Sequence, residues 1–201
     1  MQLLSDRILN MATSATLAMA AKARELRAEG KDIIGLSLGE PDFDTPDYIK
    51  EAAKIALDQG ETKYTPVNGA LDLRKAICSK FERDNNLRFT PDQIMVSNGA
   101  KQCIANICLS LLDADDEAII LTPYWVSYFE IVKFAGGRPI PVYAGIDQNF
   151  KVSPQQLEEA INHKTKLIIF SSPSNPTGSV YSAEELRGLA DVISRYENLF
   201  V

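Results

Sequence analysis

The segment Lys166-Leu-Ile-Ile-Phe-Ser-Ser-Pro-Ser-Asn-Pro-Thr-Gly-Ser-Val-Tyr-Ser-Ala-Glu-Glu185 decides how this sequence is read. It opens on a short apolar run, Lys166 to Phe170, of the kind that forms a buried strand. Pro173, Pro176 and Gly178 then punctuate a loop. Ser182-Ala-Glu-Glu185 is a capping box, in which Ser182 and Glu185 each satisfy an exposed backbone donor of a helix's first turn. Strand, loop and helix in that order form one crossover unit of a parallel sheet.

Working outward, the same alternation recurs upstream. Ile94-Met-Val-Ser predicts a buried strand. Lys101 to Leu112 predicts a helix with Ile104, Ile107, Cys108 and Leu111 at helical spacing. Ala118-Ile-Ile-Leu reads as a strand, Val126 to Phe134 as a helix, Pro139-Ile-Pro-Val-Tyr as a strand, and Leu157 to Ile161 as a helix. Downstream, Leu199-Phe-Val begins what reads as a further strand. Short apolar strands separated by helices predict an α/β fold with a mainly parallel sheet covered by helices on both faces. The first ninety residues are organised differently. They show an alanine-rich helix around Leu17 to Glu29, a short strand Ile33 to Leu38, an N-cap with proline at Thr45-Pro46, and a helix Ala70 to Arg83 carrying Leu73, Ile77 and Phe81 on one face. The opening forty-odd residues read as an arm and part of a second lobe.

At 201 residues and 45% hydrophobic, the chain can bury one substantial core. No apolar run is long enough to span a bilayer, and the N-terminus lacks a basic segment followed by an apolar one, so the cytoplasm is the expected compartment. A net charge of −6, with scattered Lys and Arg, argues against a nucleic-acid partner. Cys78, Cys103 and Cys108 have no Cys-x-x-Cys spacing and read as small core residues. His163, the one histidine, stands among charged residues and reads as solvated.

Three stretches offer chemistry at strand ends, and a fourth at a loop. Ser97-Asn-Gly-Ala-Lys-Gln102 opens a helix, where free backbone N–H groups and the positive dipole end suit a phosphate; a tight turn freed by Gly99 fits the same residues. Asn175 falls beyond a sheet strand's carboxyl end, where open α/β folds bind ligands, within a loop that its prolines alone would also explain. Thr122-Pro-Tyr-Trp-Val-Ser-Tyr128 holds the only tryptophan, Trp125, as either a flat wall for a ring or a core residue. Gly39-Glu-Pro-Asp-Phe-Asp-Thr-Pro46 fits an extended loop in which Gly39 lets a backbone N–H approach a ligand. Its Asp42 and Asp44 suit a helix start better than a metal, as no histidine accompanies them.

These motifs, in this order and together with Lys63-Tyr64-Thr-Pro, Gly69 and Leu73-Arg74, resemble the class I aminotransferases of pyridoxal-phosphate fold type I, within them the bacterial aspartate aminotransferases. The resemblance runs along essentially the whole chain. It implies residues 1–45 as an N-terminal arm and part of a small domain, and residues 46–201 as the pyridoxal-phosphate-binding large domain. It further implies that Gly99, Ala100 and Lys101 hold the cofactor phosphate, chiefly through backbone N–H groups, and that Trp125 stacks on the pyridine ring. Asn175 is expected to bond the ring's phenolic oxygen and lie near the substrate carboxylate, which Gly39 contacts through its backbone. Tyr64 is expected to reach the phosphate of a neighbouring subunit's cofactor, implying a homodimer with shared sites.

The implied reaction moves an amino group from aspartate to 2-oxoglutarate, with an amino acid and a 2-oxo acid as partners. The resemblance places the Schiff-base lysine, the aspartate opposite the pyridine nitrogen and the carboxylate-clamping arginines beyond residue 201. No catalytic residue is therefore expected among these 201, and the chain by itself is not expected to transaminate. Ala12 stands where relatives often carry a lysine, which argues against an added prephenate activity. Other readings are an aromatic or broad-specificity aminotransferase or a carbon–sulfur lyase of the same fold, and a non-catalytic half-protein that binds the cofactor or a partner.

Overall fold

A computed structural model of the chain describes residues 3–36, 39 and 41–201. Its helices are α1 (Asp6–Leu9), α2 (Ala15–Ala28), α3 (Asp47–Asp58), α4 (Leu71–Asn85), α5 (Ala100–Leu111), α6 (Ser127–Ala135), α7 (Pro154–Ala160) and α8 (Ala183–Ile193). Its strands are β1 (Glu117–Leu121), β2 (Arg138–Val142) and β3 (Thr165–Ile169). The chain divides into two compact units, Met1–Ser14 with Gly99–Val201, and Ala15–Asn98. The boundary expected at residue 45 falls inside the second unit.

The first unit is built on β1. Its sequence, Glu-Ala-Ile-Ile-Leu, is buried along its whole length, as a central parallel strand must be when both faces are covered. β2 and β3 flank it in the order β2-β1-β3, both parallel to it. Side chains alternate between two cores. Ile119, Leu121 and Ile168 join Leu157, Leu189 and Val192 from α7 and α8 on one face. Ala118, Ile120, Leu167 and Ile169 join Cys108, Tyr128 and Val132 from α5 and α6 on the other. The expected α/β sandwich is thus present. Cys108 is fully enclosed, and burial pushes its thiol up to about 11; Cys78 and Cys103 are half-buried.

The capping box at Ser182 forms as read: Glu185 N–H donates to Ser182 Oγ at 3.2 Å, and Ser182 N–H to Glu185 Oε2 at 2.7 Å. A second box starts α7 three residues before the expected Leu157, because Ser153 and Gln156 cap each other's backbone around Pro154. On α5, Ile104, Cys108 and Leu111 face the core as predicted, but Ile107 is exposed. Residues 199–201 contribute one parallel bridge, Leu167 to Phe200, in place of a full strand. In the arm, Ala12 N–H donates to Glu130 Oε2 at 3.1 Å and Lys133 Nζ to Asn10 C=O at 2.8 Å, fastening residues 10–12 to α6.

The second unit carries no strand among its described residues. Ile94-Met-Val-Ser forms no strand after a 3-10 turn at Pro91–Gln93, although Ile94 itself is extended. Its tie to a neighbour is Val96 N–H to Asn68 C=O at 3.1 Å, and one such bond makes no ladder. Residues 33–36 form no strand, and Ser37 and Leu38 of that expected strand lie outside the described residues. α3 begins at Asp47 with Pro46, not Thr45, in the capping position. On α4 the inward stripe is the buried Arg74 with the half-buried Ile77, Cys78 and Phe81, whereas Leu73 is exposed.

Candidate functional site

Chain direction fixes where the first unit can bind. All three strands are parallel, so the loops after them emerge on one edge, and such an edge is where ligands of open α/β folds sit. β1 runs into Thr122-Pro-Tyr-Trp125, and β3 into Phe170-Ser-Ser-Pro-Ser-Asn175. Ser174 Oγ donates to Pro123 C=O at 3.3 Å, so the two loops are joined. The loop after β3 is closed on itself by Gly178 N–H to Ser174 C=O and Ser174 N–H to Ser179 C=O, both 2.8 Å. It is anchored at its far end by Tyr181 N–H to Ser172 Oγ at 3.0 Å. Tyr181 itself is buried, and its hydroxyl oxygen accepts Val152 N–H at 2.7 Å.

The N-terminus of α5 is the site's electrostatic feature. Gly99 precedes the helix at φ 83°, ψ 166°, a backbone region open essentially to glycine alone. An ideal Cβ there would meet nothing within 4 Å, so the space beside this turn is free. Gln102 N–H and Cys103 N–H already bond Gly99 C=O, while helix geometry offers no acceptor within the helix to the amides of Ala100 and Lys101. The first turn carries no acidic residue and does carry Lys101, the reverse of what the dipole's positive end favours. Two outward amides, an ammonium and no competing carboxylate are a donor set suited to a phosphate. Of the two readings that the sequence left open at Ser97–Gln102, this donor set favours the anion cradle.

Lys101 also links the helix to the loop after β1, because its Nζ lies 4.8 Å from the centroid of the Trp125 ring. Trp125 is half-buried against the core beneath α5 and α6. It meets Tyr128 edge to face, with ring centroids 5.5 Å apart and planes at 87°. Beside them Tyr124 and Phe129 stack in parallel at 6.4 Å. Burial, with Tyr143 and Glu130 nearby, raises the Tyr124 hydroxyl above its ordinary value, so it is a neutral donor at pH 7. The core reading of Trp125 is thus met in part, and its Lys101-facing ring is what a flat ligand could use.

Gly99, Ala100, Lys101, Trp125 and the Asn175 loop accordingly belong to one edge of one unit. Asn175 is exposed, and its backbone N–H donates to Ser171 Oγ at 3.4 Å. Gly39 and Tyr64 belong to the other unit, where both are exposed, Tyr64 completely so. Glu40, beside Gly39, lies outside the described residues. Tyr64 precedes a loop held by Arg74, whose buried guanidinium donates to Gly69 C=O (3.1 Å) and Pro91 C=O (2.7 Å) and lies 3.6 Å from Asp92. Sequence reading gave neither Arg74 nor Ser174 a role. Arg74 was findable, since it shares the i, i+3, i+4, i+7 stripe of Ile77, Cys78 and Phe81; a lone serine hydroxyl in a Ser-rich loop carries no such signal.

Among the described residues, no group of three or more His, Cys, Asp or Glu is placed to hold a metal ion, and no helix is long and apolar enough to cross a membrane. Comparison with known proteins agrees with the fold. The family described as aminotransferase class I and II matches residues 31–201. An aspartate/prephenate aminotransferase of Cereibacter sphaeroides is 51% identical over the whole chain, which covers 50% of that protein. An aspartate aminotransferase of Bacillus subtilis is 48% identical over 98% of the chain and 50% of its own length. The solved aspartate aminotransferase of Thermus thermophilus with maleate superimposes with a TM-score of 0.95 at 46% identity, covering all of this chain and 52% of that one. The chain spans about half the length of the curated relatives it matches.

Proposed function

Because the chain belongs to the class I and II aminotransferases, we propose that the complete protein transfers an amino group from L-aspartate to 2-oxoglutarate as a homodimer, with pyridoxal phosphate as cofactor. The observation that carries this reading is the meeting of the α5 N-terminus with Trp125 at the carboxyl edge of the parallel sheet. Aspartate as donor is supported by the names of the relatives at 48–51% identity. One of those names adds prephenate; Ala12, where the resemblance expects a lysine, favours aspartate without it.

Each residue then has a defined task. The amides of Ala100 and Lys101, freed by the Gly99 turn, hold the cofactor phosphate with the help of the helix dipole. Trp125 offers its face to the pyridine ring, and the Asn175 amide donates to the ring's phenolic oxygen. Gly39 presents its N–H to a substrate carboxylate, and Tyr64 reaches the phosphate held by the second subunit. Its complete exposure leaves it free to do so. When bound, pyridoxal phosphate supplies the electron sink for the amino-bearing carbon, while the protein orients it and excludes competing reactions. Residues 46–201 read, on this proposal, as part of the cofactor-binding large domain.

The test is a substrate panel on the complete protein loaded with pyridoxal phosphate. Aspartate with 2-oxoglutarate is expected to give oxaloacetate and glutamate with the highest kcat/KM. A preference for aromatic donors, release of a thiol from a sulfur amino acid, or faster use of prephenate than of 2-oxoglutarate would each overturn the assignment.

A further inference from the structure

The Lys101 side chain has a part in this site beyond its backbone amide. A lysine in the first turn of a helix sits against the positive end of the dipole, and its flexible stem lets the ammonium choose among neighbours. Here it lies over the Trp125 ring at 4.8 Å. A cation over a half-buried indole gains less than a charge-assisted hydrogen bond to an ionised oxygen does. The stronger partner wins when both are within the stem's reach, and a phosphate on the amides of Ala100 and Lys101 lies at the foot of that same stem.

Resting on the proposed cofactor site, we infer that a phosphate captured at the α5 N-terminus draws the Lys101 ammonium off the Trp125 indole and so uncovers the ring face for a planar ligand. Lys101 is then a positioning residue that orders binding: the phosphate end docks first and the ring follows. A phosphorylated pyridine compound gains from both events, whereas its dephosphorylated counterpart meets an indole still covered by a cation.

Trp125 is the one tryptophan of this chain, so its emission reports the contact directly. The 201-residue chain is titrated with inorganic phosphate at constant ionic strength, following tryptophan emission in parallel with 31P line width, which reads binding independently of the indole. Emission is expected to change saturably with the same midpoint as the 31P signal. In Lys101→Met the emission should start at the wild-type saturated value and stay there, with phosphate bound about three- to tenfold more weakly; Lys101→Arg should restore the wild-type response. Phosphate that binds with no change in wild-type emission, or a response that survives in Lys101→Met, overturns the inference and leaves the cofactor site standing. Phosphate binding that is absent, or undiminished in Gly99→Val, overturns both.

Discussion

The Ser174 hydroxyl donates to the Pro123 carbonyl across 3.3 Å, tying the loop that holds Asn175 to the loop that holds Trp125. Neighbouring strands β1 and β3 deliver the two loops to the same edge, and this bond sets their spacing. Ser174→Ala is expected to cost about 1 kcal/mol or less of stability, because both groups are partly solvated, but to weaken binding of a pyridoxal-type ligand several-fold. Thermal melts beside a ligand titration check it. A large fall in melting temperature with unchanged affinity would show that the bond serves the fold rather than the site.

Arg74 does comparable work under the Tyr64 loop. Its buried guanidinium bridges Gly69 and Pro91 carbonyls, so Arg74→Met leaves two acceptors short of a donor and is expected to lose about 2–4 kcal/mol in urea unfolding. Arg74→Lys should recover less than half, because one ammonium cannot reproduce the planar fork. Gly69 needs no side chain for a separate reason: its φ is +96°, and a Cβ there would lie 2.7–2.8 Å from Val96 side-chain carbons. Gly69→Ala should cost about 1–3 kcal/mol, partly relieved by Val96→Ala, with a double-mutant cycle measuring the coupling.

Acid sensitivity should have an identifiable source at the opposite edge of the sheet. Lys166 Nζ lies 2.7 Å from Asp116 Oδ2, which also accepts Asp113 N–H at 2.7 Å. The bond from Lys166 first, and the Asp113 amide second, hold the Asp116 carboxyl below its ordinary 3.8. A lowered folded-state value means the stabilisation is complete above the unfolded carboxylate's value and is lost as pH falls through the folded one. Asp116→Asn should therefore flatten the dependence of unfolding free energy on pH below about 4 while changing its slope little near 7. Because the pair is partly exposed, added salt should shrink the difference. An unchanged acid slope in the variant would remove Asp116 from the account.

The sheet was legible because strand runs buried on both faces have a plain apolar signature, as in Ala118-Ile-Ile-Leu and Lys166 to Phe170, and because Ser182 and Glu185 announce α8. Ile94-Met-Val-Ser carries the same signature yet pairs with no strand among the described residues, since pairing depends on what lies alongside and not on the segment itself. Ile107 shows the limit of periodicity, sitting at helical spacing from the core residues of α5 but on the exposed side. At the candidate site, Gly99, Lys101 and Trp125 were identifiable as residue types at helix and strand ends. The ammonium resting on the indole was not, because a lysine at a helix start and a tryptophan in a later loop carry no mutual signal until the fold brings them together.

The central claim is that the α5 N-terminus and Trp125 form the cofactor's seat, and the most direct test is equilibrium dialysis of the chain with pyridoxamine 5′-phosphate, which lacks the aldehyde that would label surface lysines. The account predicts saturable binding at one site, competed by inorganic phosphate, and weakened about tenfold or more in both Gly99→Val and Trp125→Leu with circular dichroism unchanged. Equal affinity in wild type and in both variants would contradict it.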